Sequence, residues 1–214
     1  MGTTVYIGSI FGTLIYQVLT RFDFEKNEWT SFNITLGKEI SSLMQTSDGA
    51  VWMGTSGGLA RFDYGKDQWT VFDTINSGLP DNFIRSLVQI SDRSVWVGTS
   101  GGLAHFDYEK NQWTVFNMDN IGLSYNDIYS PVQASDGALW VGTLGGLAHF
   151  DYEKNQWTVF STDNSGLPGS VLSLVQASDG ALWVGTLYGL VRFDYEKNQW
   201  IIFNTVNSGL PNDN

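Results

Sequence analysis

No cysteine occurs in this chain, which excludes disulfides, thiolate metal sites and cysteine nucleophiles together. Histidine is nearly as scarce. His105 and His149 are the two present, and both stand at a repeat position held elsewhere by Arg21, Arg61 and Arg192. A metal centre needs ligands that converge from several strands, and equivalent positions of neighbouring repeats stand apart, so neither a metal nor a cofactor is expected. Basic residues are also few, 11 Lys and Arg against 22 Asp and Glu, for a formal charge of −11. Nucleic acids and anionic membranes recruit clusters of Lys and Arg, so both are disfavoured as partners. Long apolar runs are missing too. Residues 1–20 carry no charge, but glycine and threonine interrupt them and no Lys or Arg precedes the run. They are expected to form strand rather than a signal peptide or a membrane span.

What the chain does contain is one motif written repeatedly. Trp-Val-Gly-Thr, a Gly-Gly-Leu turn, His or Arg followed by Phe-Asp-Tyr, and Gln-Trp-Thr-Val-Phe recur about every 44 residues. The tryptophans keep phase with it as Trp52/Trp69, Trp96/Trp113, Trp140/Trp157 and Trp183/Trp200, with Trp29 in a degenerate first copy. Each copy gives four short β-branched and aromatic runs separated by turn residues. The Asp-Gly pairs at Asp48, Asp136 and Asp179 are strong hairpin signals, because such turns need residues that tolerate positive φ. No apolar stripe of helical period survives in any copy.

A four-stranded unit of this period fits a β-propeller blade. The fold class is therefore all-β, a β-propeller of four-stranded antiparallel blades, with five blades in one domain. Their expected extents are about residues 3–33 (degenerate), 40–72, 84–116, 128–160 and 171–203. Residues 3–18 are expected to supply two inner strands of the first blade, although Tyr6-Ile-Gly-Ser also mimics Trp-Val-Gly-Thr. An open blade face of roughly 500 Å² would cost about 10 kcal/mol at ~25 cal/mol per Å², so a closed ring is expected. The other arrangements are an excerpt of a longer array and a ring completed between chains. Trp96, Trp140 and Trp183 are expected to pack between blades.

The run Trp140-Val-Gly-Thr-Leu-Gly-Gly-Leu-Ala-His-Phe-Asp, followed by Trp157 and by Asn164-Ser-Gly-Leu-Pro, resembles the two-component regulator propeller repeat. The resemblance covers residues 40–214 well and residues 1–39 poorly. It implies a sensor portion of a hybrid histidine kinase or related signalling protein, placed outside the cytoplasm. The Trp-Asp pair of WD40 blades is missing, and the repeat is shorter than kelch's roughly 50 residues.

Catalysis is not expected. Asp23, Asp63, Asp107, Asp151 and Asp194 precede the third turn of every copy, where an aspartate accepts hydrogen bonds from turn amides. An acid pair would need two carboxylates in different environments at one locus. Binding remains. In a meander, the first and third turns share one edge of the blade, while the Gly-Gly turn and the linker to the next blade share the other. The linker edge is polar, poor in Lys and departs most from the repeat. Candidate ligand-binding residues there are Asn82, Tyr125, Asn126, Ser170 and Tyr188, which combine amide and hydroxyl groups with a flat aromatic face. The expected function is a non-catalytic binding or sensory propeller for a small polar ligand, a carbohydrate or a protein domain. A lectin-like propeller with several equivalent carbohydrate sites is the alternative.

Overall fold

The structure, a computed structural model, describes residues 4–11, 16–23, 27–34, 39–90, 94–123, 125–194 and 199–213. Five antiparallel sheets follow one another along the chain. The first has three strands, β1 (Thr4–Phe11), β2 (Tyr16–Asp23) and β3 (Glu28–Ile34). The second has four, β4 (Ile40–Gln45), β5 (Val51–Thr55), β6 (Gly58–Asp63) and β7 (Gln68–Phe72). The third contains β8 (Ile84–Gln89), β9 (Val95–Thr99), β10 (Gly102–Asp107) and β11 (Gln112–Phe116). A one-turn helix, α1 (Met118–Ile121), leads to β12 (Ile128–Gln133), β13 (Leu139–Thr143), β14 (Gly146–Asp151) and β15 (Gln156–Phe160). A second, α2 (Thr162–Ser165), leads to β16 (Val171–Gln176), β17 (Leu182–Thr186), β18 (Gly189–Asp194) and β19 (Gln199–Phe203). We refer to the sheets as blades 1 to 5.

Local chemistry explains why the meander repeats. In the first turn Asp48, Asp136 and Asp179 each accept a hydrogen bond from the amide two residues on, at 3.0–3.1 Å, and the glycine that follows each has φ of 85–88°. In the second turn the threonine that ends Trp-Val-Gly-Thr closes the loop on itself. Thr99 Oγ1 donates to the Gly102 carbonyl at 2.7 Å and accepts from the Gly101 amide at 3.1 Å, and Thr55, Thr143 and Thr186 do the same. In the third turn Asp107 accepts from the Glu109 and Lys110 amides, both at 3.0 Å. The phased aspartates Asp63, Asp107 and Asp151 are thus turn caps, as their spacing suggests.

Packing between blades uses the two faces of each sheet differently. Met44, Trp52 and Leu59 of blade 2 join Ile84, Val97, Ala104 and Phe106 of blade 3 in one core cluster. Val88, Trp96 and Leu103 meet Leu139, Val141 and Phe150 of blade 4 in another. Val132, Trp140 and Leu147 meet Leu182, Val184 and Phe193 of blade 5 in a third. Trp52, Trp96 and Trp140 are almost fully buried. The glycine after each allows the close approach: a Cβ on Gly98 would stand 2.8 Å from Ile128 Cγ2 and 2.9 Å from the Ile128 carbonyl oxygen. The strands starting at Ile40, Ile84, Ile128 and Val171 bulge at their first residues and pack against one another in chain order, as the inner strands of a propeller do.

Three features differ from the sequence reading. Blade 1 has one strand before β2, not two. Its register pairs Tyr6 with Arg21 and Gly8 with Leu19, as Trp52 pairs with Arg61 and Gly54 with Leu59. Tyr6-Ile-Gly-Ser therefore occupies the Trp-Val-Gly-Thr position, and the extra residues lengthen the β1–β2 hairpin through Phe11 and Tyr16. Second, α1 and α2 stand in linkers read as loops. Asn117 and Ser161 form their capping boxes with Asn120 and Asn164, and Gly122 and Gly166 end them at φ of 74–75°. Third, Trp183 is partly exposed, whereas Trp96 and Trp140 are buried. The expected packing between blades is therefore seen for Trp96 and Trp140.

Candidate functional site

The edge formed by the first and third turns is built from paired charges. In blade 2 the Arg61 guanidinium lies 3.1 Å from Asp48 and 3.3 Å from Asp63. Burial raises the Asp48 pKa, but hydrogen bonds from Thr46, the Ala50 amide and Arg61 outweigh it and hold the carboxyl below its usual range. Arg192 repeats the arrangement in blade 5, at 3.4 Å from Asp179. Blade 4 has His149 in this position. Burial pushes its imidazole down against the opposing pull of Asp136 and Asp151. A cleft of about 530 Å³ opens there between Ile90 of blade 3 and Gln133, Asp136, His149 and Tyr152 of blade 4. A second, of about 490 Å³, lies between Asp136 and Arg192 across blades 4 and 5. Inter-blade hydrogen bonds floor this edge, Ser47 N to Gln89 at 2.7 Å and Gln176 to Ser135 at 2.9 Å.

On the opposite, linker edge stand all five residues singled out from the sequence, in two different roles. Asn82 Oδ1 accepts from the Thr74 amide at 2.9 Å, and Asn126 Oδ1 accepts from the Met118 amide at 2.8 Å. Each amide side chain thereby ties the end of its linker to the start. Ser170 Oγ donates to the Leu144 carbonyl at 2.7 Å and joins blade 5's linker to blade 4's turn. Tyr125 and Tyr188, by contrast, are 56% and 62% exposed. Tyr188 lies against Gly169, where an added Cβ would stand 2.8 Å from its ring. The structure brings Tyr188 beside the Gly169–Ser170 step, whereas Asn82 and Asn126 hold equivalent places in successive linkers.

A cluster missed in the sequence lies on the same edge, at the inner strands. The Arg85 guanidinium binds Asp127 of the next linker through Nη2 at 2.5 Å and Nε at 3.0 Å. It stands 4.6 Å from the Tyr129 ring centroid and 5.1 Å from that of Phe83. Both members of the ion pair are about one quarter exposed. A guanidinium held by a carboxylate and flanked by ring faces keeps its planar donors in a fixed orientation. The signal was available in the repeat: Ser41, Arg85, Tyr129 and Leu172 share one position, just before a serine that does not vary. Among the described residues no group of three or more His, Asp or Glu side chains is placed to hold a metal ion, and no helix is long and apolar enough to cross a membrane.

Successive antiparallel meanders, packed face to face through phased tryptophans with their inner strands adjacent, define the chain as a β-propeller protein. Residues 36–57, 78–101 and 165–188 match the family model described as two component regulator propeller. Those three segments are thus similar to two-component regulator propeller repeats. No curated protein matches it. Among solved structures it is similar to the extracellular domain of a protein described as a hybrid two component system from B. thetaiotaomicron. That match has 21% identity and a TM-score of 0.73, and covers 98% of this chain and 29% of the other. A second such extracellular domain from B. thetaiotaomicron has 21% identity and a TM-score of 0.68, covering 80% of this chain and 26% of that one. Virginiamycin B lyase from Staphylococcus aureus has 17% identity and a TM-score of 0.69, covering 91% of this chain and 64% of the enzyme. At these identities the likeness is one of fold, and the chain spans under a third of the sensor domains' length.

Proposed function

We propose that the chain is a non-catalytic recognition module of an extracytoplasmic signalling protein, and that it binds a small polar ligand or a protein segment at the linker edge around Arg85. The observation that carries this reading is the Arg85 guanidinium, held between Asp127 and the Tyr129 ring at a position where the repeat otherwise varies. Tyr125, exposed two residues before Asp127, offers a ring face to a sugar or an aliphatic stem, and Arg85 offers donors to hydroxyls or a carboxylate. Asn82, Asn126 and Ser170 serve as the frame, and Tyr188 as a second contact on the next blade. The family resemblance and the extracellular sensor domains among its structural neighbours support the setting. The phased aspartates Asp63, Asp107 and Asp151, each occupied with its own turn, support a non-catalytic role. The lectin-like alternative gains no supporting observation.

A thermal-shift screen against monosaccharides, oligosaccharides, amino acids and short peptides tests this, with each stabilising compound recovered and analysed. Stabilisation by a compound that returns unchanged supports recognition; its conversion to product would place the chain with the propeller lyases instead.

A further inference from the structure

We propose that the cleft in front of His149 binds a guanidinium group supplied by a ligand, with the carboxylates of Asp136 and Asp151 as its acceptors. The same position recurs in blades 2, 4 and 5, and the chain's own arginines fill it in two of them. Arg61, His149 and Arg192 pair in register with Trp52, Trp140 and Trp183, so the three side chains leave their sheets on the tryptophan side. In blade 2 one guanidinium spans two carboxylates through different nitrogens, Nη2 at 3.1 Å from Asp48 and Nη1 at 3.3 Å from Asp63. In blade 5 Arg192 spans Asp179 and Asp194 at 3.4 and 3.8 Å.

Blade 4 keeps both carboxylates and has no guanidinium between them. Asp136 Oδ1 accepts from the Ala138 amide at 3.0 Å, as Oδ1 of Asp48 and of Asp179 accepts from Ala50 and Ala181. In blades 2 and 5 the second oxygen, Oδ2, then takes the arginine, whereas Asp136 forms no ion pair among the described residues. The shorter imidazole of His149 stays over the Trp140 ring, at 4.3 Å between centroids. Asp151 is paired with Lys154 at 2.5 Å. Blade 2 shows that such a carboxylate can still take a guanidinium, because Asp63 binds Arg61 with Lys66 only 3.8 Å away.

The cleft in front of these groups measures about 530 Å³, with Ile90 as an apolar wall and Glu153 as a third carboxylate. Burial lowers the His149 pKa, so at neutral pH the imidazole is uncharged and does not repel a cation. A planar guanidinium, whose nitrogens diverge, meets two separated carboxylates better than the point charge of an ammonium does. Free arginine and an arginine side chain within a peptide both carry that group. The inference is independent of the Arg85 site, since a guanidinium compound reports on this cleft and a neutral or acidic compound on the linker edge.

Calorimetric titration with free arginine, N-acetylarginine amide and N-acetyllysine amide tests it, in the wild type and in His149→Arg and Asp136→Asn variants. The wild type should bind the better arginine compound about tenfold more tightly than the lysine compound, and less tightly as salt is raised. Preference for free arginine would identify the amino acid as the source of the group, and preference for the amide a peptide. His149→Arg brings its own guanidinium and should lower the number of sites per chain by one. Asp136→Asn, whose side-chain oxygen can still accept from the Ala138 amide, should weaken binding about tenfold. Near-ultraviolet dichroism checks that both variants keep wild-type packing; His149→Lys and Asp136→Ser replace either that does not. No saturable binding of an arginine compound to the wild type, no preference over the lysine compound, or unchanged binding in either variant would overturn the proposal.

Discussion

A Cβ added to Gly142 would stand 2.7 Å from Cγ1 of Val171, the first residue of the next blade's inner strand. Blade spacing is therefore set by a glycine in the second strand rather than by the tryptophan beside it. Gly142→Ala forces the blades apart or strains their side chains and should cost about 1–3 kcal/mol. Gly185→Ala faces only the Ser173 hydroxyl, which can rotate away, and should cost less. Urea unfolding of dilute samples compares the two, and equal losses would contradict this account of blade packing.

Truncating the tryptophans should follow the same order. Trp140 is 2% exposed and packs on Phe160, Phe193 and Trp200, so Trp140→Ala should cost about 3–5 kcal/mol. Trp183 holds the equivalent place on the open face, and Trp183→Ala should cost clearly less. Thermal unfolding of the two variants at low concentration gives the comparison.

The fold was legible in the sequence because the repeat repeats its causes: the Asp-Gly turn, the self-closing threonine, the capping aspartate and the paired aromatics recur in phase. Blade 1 was not, because ahead of Arg21-Phe-Asp and Glu28-Trp-Thr-Ser-Phe it keeps only Tyr6-Ile-Gly-Ser of that pattern, and its longer hairpin shifts the spacing that alignment relies on. The ends could not be read either, since Trp183 and Trp140 look alike in sequence and differ in what covers them. At the candidate site, Asn82 and Asn126 were legible as linker residues but not as loop ties. Their partners, the Thr74 and Met118 amides, lie eight residues upstream. Arg85 was overlooked because attention went to linkers rather than to the most varied position of the inner strand, held by Ser41, Arg85, Tyr129 and Leu172.

Stability should fall with acid through His149. Burial depresses its pKa in the folded chain below the ordinary imidazole value of 6.5, so at mildly acidic pH the unfolded chain binds more protons than the folded one. The contribution is complete above pH 6.5 and is lost as pH falls below it through the folded value. His149→Arg should pair with Asp136 and Asp151 as Arg192 does with Asp179 and Asp194, and should remove that component. Denaturant unfolding at pH 7.5 and 5 should show a smaller difference for the variant than for the wild type; an unchanged difference would remove His149 as its source.

The linker residues should separate into frame and contact. Asn126→Ala leaves the Met118 amide without its acceptor and should lower stability by about 1 kcal/mol. Tyr125→Ala, at a side chain 56% exposed, should leave the melting temperature near that of the wild type. If both changes were equally destabilising, Tyr125 would be part of the frame as well.

The recognition surface is tested most directly by calorimetric titration of a stabilising compound from the polar-ligand screen into three proteins. These are the wild type, an Arg85→Ala/Tyr125→Ala variant and a His149→Ala/Asp136→Ala variant of the opposite edge, each shown to be folded by near-ultraviolet dichroism. The account predicts that affinity is lost in the first variant and kept in the second. Affinity kept without Arg85 and Tyr125 but lost without His149 and Asp136 would place recognition in the inter-blade cleft and contradict it.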